Sequence, residues 1–502
     1  MKRFATLVPL LLVAIATFAA MPRNISMLSL QGQLKKAYSG YSAGTPLLLS
    51  QVIEVQDNAS HGEVRYVINI NRTQYAIDRA DFNRFVALQP PTTDEEFWQQ
   101  VCIRERYYEH INKHGYRKIL RREVNDNCTD YTTQLSQYLY PDDYLTSYVQ
   151  GIFASINTPS DPGRDEALNV SVINSPEPDA YMLANGNMII STGMLTLLDS
   201  EEELAALMVN EITHHVLDHP LDNVRREIAR NHRAAFWTVV LGFTADVALQ
   251  VACNNNDDTA AAIGHVAGAA SLGALLSSGT VNFLGLNYQE KQDYTADRIT
   301  LEWLSFKQMH PEALTSALKK IANYYIKRRQ SDDIPRYTSI PRITRRFDKL
   351  PPLETPVHSR PYLKNTSDAV SVCALAYMEE KQYPQAIELV RKNINNKLAT
   401  DHDYVVLVKS KMALYNTEEA NNECLQLLQE AKQLSKGVTN LDVNKQEILL
   451  LLRMNKQMRA ANLLHNYLRL LDIHYQESEN DHEWTENEIT WARQLLNKIN
   501  KV

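Results

Sequence analysis

Glycine is scarce in this chain, 16 in 502 residues, about 3% against a usual ~7%. That shortage disfavours a loop-rich or barrel-dominated protein and favours one built mostly of helices. Cysteine is also sparse. Cys102, Cys128, Cys253, Cys373 and Cys424 are too few for a disulfide scaffold, and their odd number leaves one outside any bridge. No CxxC knuckle is present. Cys102 with Cys128 is the expected bridge if the chain meets an oxidising compartment. No basic stretch is long enough to track a phosphate backbone, and the net charge is −7, so nucleic acid is not an expected partner. Long apolar runs are few as well. The chain is 44% hydrophobic and 22% charged, close to the globular average, which excludes both wholesale disorder and a polytopic membrane protein. At roughly 100 to 200 residues per domain, 502 residues imply two to four domains.

The apolar run at the start, Leu7 to Ala20, follows Lys2 and Arg3 and is too short for a membrane span. Ending in Ala19 and Ala20, it reads as a cleavable leader over residues 1–20, the alternative being a retained N-terminal anchor. An exported protein, periplasmic or extracellular, is the expectation. Next, Val52 to Val55, then Val64, Tyr66, Ile68 and Ile70, then Tyr75 and Ile77 alternate with polar partners about a turn at Asn71-Arg72-Thr73. A small SH3-like β-barrel over residues 40–88 is expected. Pro90-Pro91 closes it, and Thr93-Asp94-Glu95-Glu96 signals a helix start, opening a helical segment over 92–148. Six prolines between Ser331 and Pro361 exclude helix interior there, leaving a linker (351–363) or an extended tail clamped on a domain. Beyond it, Asp368–Ile394, Asp401–Gln433 and Asn444–Ile473 recur as helix pairs at about 34–40 residues. Ala374, Tyr377, Tyr383 and Ala386 fall at tetratricopeptide-like spacings, so residues 364–500 resemble such repeats, a fold that binds proteins or peptides. A plain helical domain is the other reading. The expected fold class is therefore α-rich α+β.

The chemistry concentrates in Ser200 to His219. A serine, three acids and an apolar pattern predict a helix, on which Asn210, Glu211 and His214 take the places of an HExxH motif. In that motif two imidazoles four residues apart hold one zinc, and the glutamate activates the bound water. Here the first imidazole is replaced by the amide of Asn210.

This segment, with Pro178 to Tyr181 and Asn185 to Leu195 before it, resembles the zinc metallopeptidases of the CAAX prenyl proteases, their Oma-type members and periplasmic relatives. The resemblance implies an edge strand that binds substrate backbone, and an ExxxD signature later in the chain. Asn287 to Arg298 looks like that signature, which places Asp293 at the third metal ligand and Asp297 as the supporting acid. The family's His-Pro pair, ahead of an arginine, matches Ile340-Pro341 with Arg346, so Ile340 stands where the active-site histidine is expected. The resemblance covers about Tyr144 to Leu350 (domain 149–350), and the repeats resemble those of periplasmic members that couple a peptidase to outer-membrane protein quality control.

Zinc prefers imidazole, thiolate and carboxylate, so an amide at 210 weakens binding even with His214 and Asp293 in place. Aspartate for glutamate at 293 shortens the reach by about 1.5 Å, where metal–ligand distances tolerate about ±0.2 Å. Ile340 removes a further donor. His215 and His219 form a shifted pair about 100° round the helix. Between the two signatures, the apolar stretch 234–286 reads as a membrane-spanning pair or as a buried helical hairpin. Asp246, Gln250 and His265 favour the hairpin, with peripheral membrane contact left open. The sequence thus supports first a non-catalytic family member that binds proteins, with zinc weak or absent. The alternatives are an active zinc endopeptidase with an unusual ligand set, or a repeat domain with a scaffold attached.

Overall fold

The computed structural model describes residues 23–56, 62–111, 115–156, 167–231, 284–328, 340–355, 357–435, 440–477 and 482–500. The expected leader lies outside these residues, as does the 234–286 segment except Leu284, Gly285 and Leu286. The chain packs into two units, one of residues 1–172, 180–190 and 202–357, the other of 173–179, 191–201 and 358–502.

The first unit opens with five strands, β1 (Arg23–Leu34), β2 (Pro46–Gln56), β3 (Gly62–Ile70), β4 (Thr73–Ile77) and β5 (Val86–Leu88). They form an antiparallel sheet in the order β4-β3-β2-β1-β5. Two expectations change here. The sheet begins at Arg23 rather than at residue 40, and among the described residues its order ends at β4 and β5. β1 carries the period of two, with Leu28, Leu30 and Leu34 buried and Met27, Ser29, Gln31 and Gln33 exposed. The β3–β4 hairpin turns at Asn71 and Arg72, whose φ values of 43° and 68° are those of a type I′ turn.

Helices follow: α1 (Arg79–Phe85), which falls inside the span expected as β-barrel, then α2 (Asp94–Arg104), α3 (Tyr107–Ile111), α4 (Gly115–Leu135) and α5 (Asp143–Ser155). α2 starts where expected, with the Thr93 side chain accepting from the Glu96 amide at 3.2 Å. Tyr66 on β3 donates to Glu109 on α3 at 2.7 Å and accepts from Arg79 on α1 at 2.9 Å, tying sheet to helices. Cys102 on α2 and Cys128 on α4 are both buried thiols. The expected bridge between them is not formed. Burial in the helical core gives each sulfur a largely apolar environment.

A second sheet, ordered β6-β8-β7, comprises β6 (Asn169–Ile173), β7 (Ala180–Met182) and β8 (Asn187–Ser191). After α6 (Thr192–Leu197) comes α7 (Glu201–Val216), buried at every residue from Glu203 onward. Half of its sixteen residues are apolar, and the polar ones from Glu203 onward are buried with them. Its side chains make contacts with α8 (His219–Asn231), α9 (Glu290–Phe306), α10 (Ala313–Lys327) and α11 (Ile340–Arg346). Buried Glu203 on α7 accepts from Ser316 and Lys320 on α10, the latter at 2.6 and 2.8 Å. Gly285 packs where a Cβ would lie 2.2 Å from the Pro220 carbonyl oxygen, and its φ of +74° favours glycine. After α11, the amides of Glu354 and Thr355 donate to Glu312 at 2.9 and 3.2 Å, so this part of the proline-rich stretch is clamped on its own unit.

The second unit contains α12 (Arg360–Asn365), with Pro361 in its first turn, where a missing N–H costs nothing. Three helical hairpins follow, α13 (Ser367–Glu379) with α14 (Tyr383–Asn395), α15 (Asp401–Leu414) with α16 (Glu418–Leu434), and α17 (Leu441–Arg453) with α18 (Gln457–Glu477). Helix α19 (His482–Ile499) ends the row. Ala374, Tyr377 and Ala386, singled out for their spacing, share one buried cluster with Val390 and Leu407. The unit also holds two earlier segments. Tyr377 donates to the Pro176 carbonyl at 2.7 Å, Tyr362 to that of Leu195 at 2.8 Å, and Lys392 to those of Thr196 and Leu198 at 2.6 Å each. Gly193 permits the approach, since a Cβ there would lie 2.2 Å from the Pro176 carbonyl oxygen. No described helix is long and apolar enough to cross a membrane.

Candidate functional site

Asn210, Glu211 and His214 stand on one stretch of α7, and Asp293 and Asp297 stand one turn apart on α9. The structure brings them together. Asn210, Glu211, His214, Asp293 and Arg346 surround a cavity of about 10 Å3, which Tyr288, Arg342 and Ile343 complete. That volume suits about one water molecule. The spacing on α7 explains the grouping, because residues three and four apart on a helix point the same way.

Every polar atom of the Asn210 side chain is engaged. Its Nδ2 donates to Asp297 Oδ1 at 3.1 Å and to Thr300 Oγ1 at 3.3 Å, while its Oδ1 accepts from Arg346 at 3.3 Å. A carboxylate on one side and a guanidinium on the other fix which end of the amide is which. Arg346 grips Asp297 through a fork, with Nε 2.9 Å from Oδ2 and Nη2 on Oδ1. Both partners are buried, at 5% and 3% exposure. Asp297 and Arg346, read from the resemblance as supporting residues, are thus bonded to each other, with Asn210 as the third member of the group.

Arg342, not singled out in the sequence, takes the other carboxylate. Its Nε and Nη2 reach Asp293 Oδ2 at 2.9 and 2.6 Å, and Nη2 also donates to the Tyr288 carbonyl. Asp293 Oδ1 lies 3.9 Å from His214 Nε2. Burial raises the Asp293 pKa, against the opposing pull of Arg346 and Arg342. A local signal for Arg342 existed, since Arg342 and Arg346 are four apart and share a helix face.

His214 is enclosed. Tyr288 stacks on its ring, with centroids 3.6 Å apart and planes at 11°, and its Nδ1 lies 3.0 Å from His219 Nδ1. Burial, His219 and the two arginines hold the His214 pKa well below the ordinary histidine value. Burial likewise brings His219 down to about 4, against the pull of Asp222 and Asp218. Both rings are thus neutral at neutral pH, and one Nδ1–H donates to the other ring's lone pair. The shifted pair of His215 and His219 is not assembled. His215 Nδ1 bonds instead with the Leu183 carbonyl at 3.1 Å, because 100° of helix rotation turns it toward the β7–β8 turn. His219 also lines a broader groove of about 500 Å3 with His110, Asp222, Arg225, Arg226 and Gln292. Ile340 begins α11, and its side chain lies outside the described residues.

The resemblance implies zinc, and the donor set does not fit it. Zinc requires three or four deprotonated donors free to turn inward. Here the amide oxygen at 210 serves Arg346, and the carboxylate at 293 serves Arg342. Two permanent guanidinium cations border the cavity. Among the described residues, no group of three or more His, Cys, Asp or Glu side chains is arranged to hold a metal.

Over 188 residues the chain is 26% identical to the beta-barrel assembly-enhancing protease of Yersinia pestis, covering 36% of this chain and 34% of that protein. Over 193 residues it is 26% identical to the Escherichia coli protein of the same name, covering 38% and 36%. The match thus spans about a third of the length of these relatives. The sequence profile of Peptidase family M48 matches residues 140–358, a span that contains α7, α9 and α11 with every residue of the cavity. Residues 140–358 thus form a domain similar to those of Peptidase family M48.

Proposed function

We propose that this chain is a non-catalytic member of its family, a pseudopeptidase that binds polypeptides in protein quality control rather than cutting them. One observation carries the reading: Asn210 and Asp293, at two of the three ligand places, are each held by an arginine. Hydrolysis of a peptide by this family's chemistry needs a polarised water beside the general base. Glu211 keeps the base position, but the groups around it supply hydrogen bonds and charge to one another.

The remaining features suit binding. A cavity of about 10 Å3 takes no side chain, whereas the groove of about 500 Å3 sharing His219 is large enough for a peptide segment. The hairpins of the second unit, read as tetratricopeptide-like, offer a second surface for protein partners. The curated relatives are named for enhancing β-barrel assembly, and we assign this chain to the same kind of task. Export follows from the expected leader, with a periplasmic or extracellular location and N-terminal anchoring as the alternative.

The retention of Glu211 and His214 on one cavity supports a second reading, an active zinc endopeptidase with an unusual ligand set. The test is purified protein incubated with an unfolded polypeptide, with zinc or with a chelator, beside Glu211→Gln. Binding without cleavage, unchanged by chelator and by the substitution, is the expected result. Chelator-sensitive cleavage abolished by Glu211→Gln would establish the second reading.

A further inference from the structure

We propose that Arg342 is a built-in substitute for the metal cation, and that it excludes zinc from this site even when the missing imidazole is restored. The inference rests on the non-catalytic reading and names the residue that maintains it. Two helices meet here as a ladder of two rungs. α9 presents Asp293 and Asp297 four residues apart, and α11 presents Arg342 and Arg346 at the same spacing. The rung between Asp297 and Arg346 consists of signature residues and carries Asn210. The rung between Asp293 and Arg342 joins the third-ligand carboxylate to an arginine outside the signature.

A carboxylate as buried as Asp293, at 7% exposure, stays ionised only with a cation beside it. In a metal site the ion supplies that charge. Here Arg342 supplies it through two contacts to Oδ2, while its bond to the Tyr288 carbonyl anchors the guanidinium to the segment that stacks on His214. A guanidinium does not deprotonate at any relevant pH, so a divalent ion cannot displace it by shifting a proton. An arriving metal would meet only Oδ1, the oxygen nearer His214, would share the carboxylate with Arg342, and would lie against a fixed positive charge. Restoring the imidazole at 210 leaves that obstacle in place.

The experiment compares wild type, Asn210→His, Arg342→Gln and the double variant. Each is dialysed against micromolar zinc and measured for bound metal and melting temperature. Arg342→Met, which keeps the apolar stem, replaces the glutamine variant should that protein not show native circular dichroism. The expectation is that wild type and both single variants stay substoichiometric. The double variant takes up one zinc per chain, melts higher with zinc, and loses both effects when His214→Ala is added. A filled Asn210→His single variant beside an empty wild type would overturn the role of Arg342 and leave the non-catalytic reading standing. A folded double variant that stays empty would overturn it equally. Stoichiometric zinc in wild type would sink both.

Discussion

At the scale of single residues, the informative change is an amide for an imidazole. Asn210 is no vestige loosely left in a cleft, since it accepts from Arg346 and donates to Asp297 and Thr300. Most of the site was legible in the sequence because its spacings are local. Asn210 with His214, and Asp293 with Asp297, are each one helical turn apart, and such pairs must share a face. For Arg342 only the shared face with Arg346 was legible; its partner is 49 residues away, and the pairing depends on how α9 and α11 meet. Thr300 and Tyr288 were missed for the same reason. Arg346 should be the costliest residue to remove. Arg346→Ala leaves the buried carboxylate of Asp297 without its fork, and truncating one side of a buried pair costs about 3–5 kcal/mol. Urea unfolding should show the midpoint falling accordingly, with Arg346→Lys intermediate. A loss within about 0.5 kcal/mol of wild type, as at ordinary surface sites, would mean the pair is solvated in solution.

At the scale of elements, capping and turn chemistry were readable and the extent of the sheet was not. Thr93 starts α2 as its side chain and the following acids required. The turn at Asn71-Arg72 was visible from its polar break between apolar runs. β1 was missed although Leu28, Leu30 and Leu34 alternate, because its register against β2 is broken twice by irregularities and its polar positions resemble a linker. The hairpin turn carries a cost that can be relieved. Arg72 has a φ of 68°, a left-handed conformation that costs a residue with a Cβ roughly 1–2 kcal/mol. Arg72→Gly should therefore raise stability by about 1 kcal/mol, less whatever the freer unfolded chain offsets. A thermal melt showing no gain, or a loss, would indicate that the Arg72 side chain contributes more than its backbone strain removes.

For the molecule as a whole, the helix pairs of the second unit were expected from their period, but not the company they keep. Residues 173–179 and 191–201 belong to that unit, supplying the carbonyls that Tyr362, Tyr377 and Lys392 bond, and the carboxylate of Asp199 lies 2.7 Å from Lys392. A fragment of residues 358–502 should therefore be less stable than the same unit in the intact chain. Losing about five polar contacts at a net ~1 kcal/mol each places the deficit at roughly 3–5 kcal/mol, and the bared Tyr362 and Tyr377 should bind a hydrophobic dye. A fragment as stable as the intact chain, and silent to the dye, would show that these segments merely rest on the unit. The sequence by itself determined the helix-rich class, the hairpin period and the order of the signature-like residues, because periodicity, capping and motif spacing are properties of neighbouring residues. Tertiary structure alone decided that His219 and not His215 meets His214, that Arg342 takes the third-ligand carboxylate, and that two mid-chain segments complete the second unit. Those outcomes depend on contacts between residues far apart in the chain, which local pattern does not encode.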